Sequence, residues 1–145
     1  MVNKIYTTQN SNETRALGKQ IGKTISLSKS GPKVLCLYGE LGAGKTTFIQ
    51  GLAEGLGIVK RILSPTFILM RQYAMRNSKT FYHLDCYRLE KVEDLGLSDI
   101  IKDEHNIIAI EWAEKTKDLL PNKRTDIYFE RVGENKRKII LYERH

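Results

Sequence analysis

The string Gly39-Glu40-Leu41-Gly42-Ala43-Gly44-Lys45-Thr46 constrains this chain more than any other part of it. It has the form G-x-x-x-x-G-K-[ST]. It follows the apolar run Val34-Leu35-Cys36-Leu37-Tyr38 and leads into Thr47-Phe48-Ile49-Gln50-Gly51-Leu52. Strand, glycine loop and helix is the setting in which this pattern marks a phosphate-binding loop. Glycines let the backbone wrap closely around an anion with its N–H groups turned inward, and the helix N-terminus adds partial positive charge. Polyphosphate is the natural guest, with Lys45 reaching the β- and γ-phosphates and the Thr46 hydroxyl ligating Mg²⁺.

The length of 145 residues fits one domain with a single mixed core. No apolar run approaches the ~20 residues that span a bilayer, and the start Met-Val-Asn-Lys-Ile-Tyr has no signal-peptide core. A cytoplasmic protein with no membrane partner is expected. The two cysteines, Cys36 and Cys86, lie in apolar segments outside any C-x-x-C or Cys/His cluster and read as reduced core thiols. The formal charge of +7 is spread along the chain, with one tight group at Lys136-Arg137-Lys138. Charge alone therefore leaves an ordinary solvated surface and a phosphate-rich partner both open.

In chain order, residues 11–28 predict a first helix, capped by Asn12 or Ser11, with Leu17, Ile21 and Ile25 on one face. The preceding segment, Tyr6 to Asn12, reads either as a short edge strand or as a cover over a nucleotide base. A second helix over 45–56 presents Phe48, Ile49, Leu52 and Leu56 and ends at Gly57. Ser64-Pro65-Thr66-Phe67 makes a constrained turn, where Thr66 is a candidate for sensing the γ-phosphate as a GTPase switch does. Runs at 67–74 and 79–86 suggest an antiparallel hairpin whose second strand carries His83 and Asp85 on one face. That pair reads either as chemistry beside the phosphates or as a solvated strand face. One short helix, or two broken near Gly96, is expected over 89–103. The apolar run Ile107-Ile108-Ala109-Ile110 predicts a buried central strand, and Glu111 at its end suits the acid that helps hold Mg²⁺. Trp112 either covers core or shields the phosphates. A short helix over 113–120 and two closing strands, 126–132 and 136–143, around Gly133-Glu134-Asn135 complete the chain.

The loop, then Ser64-Pro65-Thr66-Phe67, His83-Leu84-Asp85-Cys86-Tyr87-Arg88 and Ile110-Glu111-Trp112 in this order resemble the TsaE family. These are small bacterial ATPases needed for making threonylcarbamoyladenosine in tRNA. The resemblance implies an α/β fold, a P-loop NTPase-like mixed sheet with parallel core strands, antiparallel hairpins and flanking helices. It implies ATP and Mg²⁺ as cofactors and TsaD and TsaB as partners, acting at adenosine 37 of tRNA, which the protein meets indirectly or within that complex. Transferred residue by residue, Lys45 binds phosphate, and Thr46 and Glu111 ligate Mg²⁺. Thr66 is the switch-like threonine, Asp85 the second essential acid, and Trp112 the ring beside the nucleotide. Gly39, Glu40, Leu41, Gly42, Ala43, Gly44 and Thr47 complete the phosphate cradle. Adenine contacts would come from the segment Thr8 to Ser11, through Asn10, and from the last hairpin near Lys136, through Arg137. Ala113 departs from the proline that many members carry after the tryptophan.

The chemistry so read is attack of water on the γ-phosphate, oriented by Glu111 or Asp85, with no assignable arginine finger. Three other readings remain. A GTPase would use N-K-x-D, which Asn122-Lys123-Arg124-Thr125-Asp126 misses by one residue, and D-x-x-G is absent. A small-molecule kinase needs an acceptor pocket and an arginine-rich lid, for which the chain leaves little room. A nucleotide-dependent binding module would keep the loop without turnover.

Overall fold

The computed structural model describes residues 3–28, 33–62, 70–88 and 96–145. They form β1 (Asn3–Thr8), α1 (Ser11–Leu27), β2 (Lys33–Tyr38), α2 (Lys45–Gly55), β3 (Met70–Ala74), β4 (Thr80–Asp85), α3 (Leu97–Lys102), β5 (Asn106–Glu111), β6 (Arg124–Arg131) and β7 (Arg137–Arg144). Short 3-10 turns occupy Arg76–Ser78 and Ala113–Leu119. All seven strands join one sheet in the order β1-β7-β6-β2-β5-β4-β3. β2 pairs in parallel with β5 and β6, and β4 pairs in parallel with β5. The outer pairs β3–β4, β6–β7 and β7–β1 are antiparallel. This is the expected mixed sheet with a parallel core.

The near-continuous apolar runs of β2 and β5 follow from burial on both faces. Alternation sends Leu35 and Leu37 toward Phe48, Ile49 and Leu52 of α2. Val34 and Cys36 turn the other way, toward Ile108, Ile110, and Leu97 and Ile101 of α3. Phe48, Ile49 and Leu52 are all fully buried, each contributing about 1.5–3 kcal/mol of transfer free energy. Both cysteines are buried and unpaired with each other.

α1 and α2 cross closely because glycines meet there. An added Cβ on Gly51 would lie 1.9 Å from the Arg15 carbonyl, and one on Gly18 would lie 2.2 Å from that of Phe48. Nothing larger than hydrogen fits either position. On the rim of the crossing, the Arg15 guanidinium is bonded to the Glu54 carboxylate.

Several sequence expectations are resolved or corrected. Of the amino-terminal segment Tyr6 to Asn12, residues 6–8 take the edge-strand alternative within β1, paired to β7, while Ser11 and Asn12 open α1. α1 is capped by Asn10, not by Ser11 or Asn12. Asn10 is extended at φ −157°, and its side chain accepts from the Glu13 amide at 2.9 Å. Glu13 in turn accepts from the Gln9 amide at 2.8 Å, so one helix-start donor and the amide just before the cap are satisfied, with the cap one residue earlier than expected. Of the helical stretch expected over 89–103, α3 is described and residues 89–95 lie outside the described residues. No helix among the described residues is long and apolar enough to cross a membrane.

Candidate functional site

The parallel strands deliver their carboxyl ends to one edge of the sheet, where open α/β sheets bind ligands. β2 opens into the glycine loop, β5 ends at Glu111, and β4 ends at Asp85, whose register partner is Glu111. β6 and the turn at 133–135 reach the same edge, and so do the end of β1 and the start of α1. Between them lies a cavity of about 320 Å³. Leu41, Gly42, Gly44, Lys45, Thr46 and Thr47 line it from the loop and α2. Asp85, Glu111 and Trp112 close it from the sheet, and Ser11, Thr14, Asn135 and Arg137 from the far side.

Gly44 precedes α2 at φ 101°, a left-handed conformation that an L side chain adopts only at a cost. Among the described residues no side chain caps the first turn of α2, which leaves its positive end suited to an anion. The Ala43 amide is bonded back to the Glu40 carbonyl at 3.1 Å and so turns inside the loop.

Lys45 is only 5 % exposed. Its ammonium donates to the Gly39 carbonyl and lies 3.9 Å over the centroid of the Trp112 ring. Burial pulls its pKa below the ordinary lysine value, while Glu111, Glu114, Asp85 and Glu40 pull the other way. Trp112 itself holds a left-handed backbone, φ 57°, and packs against Tyr87 at 5.0 Å between centroids.

The Thr46 hydroxyl donates to Glu111 Oε1 at 3.2 Å. Two hard oxygens at this spacing, open to the cavity, suit Mg²⁺, which takes few protein ligands and completes its shell with phosphate and water. Glu111 is 3 % exposed, and its second oxygen, Oε2, bonds His83 Nε2 at 2.7 Å. Asp85 accepts from the Tyr87 amide at 3.0 Å. Both His83 and Asp85 are buried, so the solvated-face alternative for this strand does not hold. Arg137 donates from Nη2 to the Gly42 carbonyl at 3.0 Å, which fastens the last hairpin to the loop.

The TsaE family model, described as threonylcarbamoyl adenosine biosynthesis protein TsaE, matches residues 8–139. The chain belongs to the TsaE family. It is 41 % identical over 135 residues to the tRNA threonylcarbamoyladenosine biosynthesis protein TsaE of Bacillus subtilis, covering 92 % of this chain and 82 % of that one. To the protein of the same name from Aquifex aeolicus it is 35 % identical over 136 residues, covering 91 % and 90 %. The crystal structure of Bacillus subtilis YdiB superposes with a TM-score of 0.81 at 33 % identity, covering 99 % of this chain and 87 % of that one.

Measured against the residues that the TsaE resemblance nominates, the cavity gathers Leu41, Gly42, Gly44, Lys45, Thr46, Thr47, Asp85, Glu111, Trp112 and Arg137. Gly39 meets Lys45 through its carbonyl, and Glu40 meets Ala43 within the loop. Asn10 does not line the cavity, because its side chain is spent on capping α1. That cap nonetheless aims Ser11 and Thr14 at the cavity. Thr66 and the Ser64-Pro65-Thr66-Phe67 turn lie outside the described residues. Sequence reasoning did not single out Thr14, Asn135 or the bond from His83 to Glu111. The H-x-D spacing on β4 puts His83 and Asp85 on one face but does not give the register that brings His83 to Glu111. The GTPase reading finds no foothold: Asp126 is 1 % exposed, bonded to Arg124, Arg144 and Tyr38, and away from the cavity.

Proposed function

We propose that the protein is a single ATPase domain over residues 1–145 that works in the cytoplasm. It would bind ATP with Mg²⁺ and hydrolyse it slowly, in support of threonylcarbamoyl transfer to adenosine 37 of tRNA by TsaD and TsaB. The observation that carries this reading is the 3.2 Å approach of the Thr46 hydroxyl to Glu111 Oε1 directly after the glycine loop. A helix start with no side-chain cap among the described residues, and a lysine beside two oxygen ligands, suit phosphoryl transfer as P-loop enzymes carry it out, since that reaction depends on positioning and electrostatics.

In this reading the amides around Gly42 and Gly44 cradle phosphate, and Lys45 exchanges its Gly39 carbonyl for the β- and γ-oxygens. Thr46 and Glu111 would hold Mg²⁺, which when bound would supply charge neutralisation at the transferring group. Asp85 lines the same cavity, and it or Glu111 would orient the attacking water. Trp112 covers Lys45 and limits access of bulk solvent. Thr66 would report the γ-phosphate to the partners. Arg137, bonded to the Gly42 carbonyl, and the segment that carries Asn10 would contact the adenine.

The test is ATP loss measured alone and with TsaD and TsaB added, with Lys45→Ala as control. Slow turnover that rises with the partners and vanishes in the control is expected. Equal ATP loss by Lys45→Ala, or no response to TsaD and TsaB, would sink the proposal. The binding-module reading predicts tight ATP binding with no loss in a single-turnover measurement.

A further inference from the structure

Behind the carboxylate that faces the cavity lies a histidine that touches no ligand space. His83 is 0 % exposed and does not line the cavity. Its Nε2 lies 2.7 Å from Glu111 Oε2. We infer that His83 is a positioning residue for Glu111, tethering Oε2 so that Oε1 alone is presented to Thr46 and the metal. The inference rests on the reading of the cavity as a site for ATP with Mg²⁺.

An ionised carboxylate only accepts hydrogen bonds, so Nε2 must donate. The other ring nitrogen, Nδ1, is buried with no hydrogen-bond partner among the described residues. A proton there would be a buried donor without an acceptor, which costs roughly 1–3 kcal/mol. The proton therefore stays on Nε2, where the bond to Glu111 uses it. The last torsion of a glutamate is soft and broadly populated. Fastening one oxygen removes that freedom and fixes which lone pairs meet the cavity. The strand register makes this possible: Asp85 pairs with Glu111 and His83 with Ala109. His83 thus reaches Glu111 diagonally across the β4–β5 pair, from the same strand that carries Asp85. Residues that orient a metal-binding side chain from behind typically change metal affinity about 10- to 100-fold when lost.

Trp112 is the single tryptophan and lines the cavity, so its emission can report ATP uptake. The experiment titrates ATP in EDTA, then Mg²⁺ at saturating ATP, for the wild type, His83→Leu and His83→Gln. Leucine removes the donor, whereas glutamine carries an amide N–H at a similar reach. His83→Leu should keep its metal-free ATP affinity within about twofold and lose about 10- to 100-fold in Mg²⁺ affinity. His83→Gln should recover most of that loss. Unchanged Mg²⁺ affinity in His83→Leu, or equal losses in both variants, overturns the inference and leaves the cavity reading standing. A wild type that takes up no ATP overturns both. Nitrogen chemical shifts of the wild-type imidazole test the tether without any substitution. A proton on Nε2 with bare Nδ1 supports it, and the reverse tautomer overturns it even where both variants fail to fold.

Discussion

Asp85 and Glu111 stand opposite one another at the ends of adjacent parallel strands, yet their carboxylates are held by different partners. Asp85 accepts from the Tyr87 amide, while Glu111 is shared between Thr46 and His83. The two acids should therefore fail differently. Glu111→Gln is expected to abolish the gain in ATP affinity on adding Mg²⁺. Asp85→Asn should leave that gain within about threefold and lower single-turnover hydrolysis at least ~100-fold, the range of a lost acid–base or water-orienting group. Calorimetric titration with and without Mg²⁺, set beside turnover, separates them. Wild-type turnover in Asp85→Asn would contradict the division.

Arg137 crosses from the last hairpin to the Gly42 carbonyl and also bonds the carbonyls of Gly133 and Glu134. Arg137→Ala releases the loop from that hairpin. ATP affinity should fall roughly fivefold, equivalent to a net hydrogen bond of about 1 kcal/mol. Thermal stability should change little. The comparison is equilibrium binding against the melting temperature, and a large drop in the latter would make the contact structural.

Gly51→Ala inserts a methyl where the Arg15 carbonyl already stands. Alanine would ordinarily favour a helix by up to about 1 kcal/mol, so the sign of the change decides between propensity and packing. Overpacking of about 1–3 kcal/mol should win, and denaturant unfolding should show net destabilisation. A more stable Gly51→Ala protein would mean that the helices can separate without loss.

Burial pushes the Cys36 and Cys86 thiols from their ordinary 9.0 up to about 12. Between those values the folded chain holds protons that the unfolded chain has lost. The contribution to stability is full below pH 9 and falls as pH rises toward 12. At neutral pH a thiol reagent should react with neither cysteine in the native protein and with both in denaturant. Fast native labelling would refute the burial.

Much of this was legible in the residues. β2, β5 and the glycine loop are strong local signals, because doubly buried strands leave uninterrupted apolar runs and a phosphate cradle needs glycines at fixed offsets. Glu111 was legible for the same reason, as an acid closing such a run. The His83 tether was not, since a diagonal bond between neighbouring strands depends on register, and register is a property of the assembled sheet. The cap at Asn10 was missed by one residue because Asn10, Ser11 and Asn12 are all competent caps, and only the path of the chain out of β1 chooses. Glycines within helices, such as those of the α1–α2 crossing, lower helix propensity when taken alone. Their purpose appears only when the other helix is present.

That crossing also sets the gauge of the ligand cleft. α1 supplies one wall through Ser11 and Thr14, and α2 supplies another through Lys45, Thr46 and Thr47. The interval between those walls is fixed by bare backbone meeting bare backbone at Gly18 and Gly51. The aperture offered to a guest is thus calibrated at places that no guest touches, and a single added methyl there would splay the jaws from their hinge.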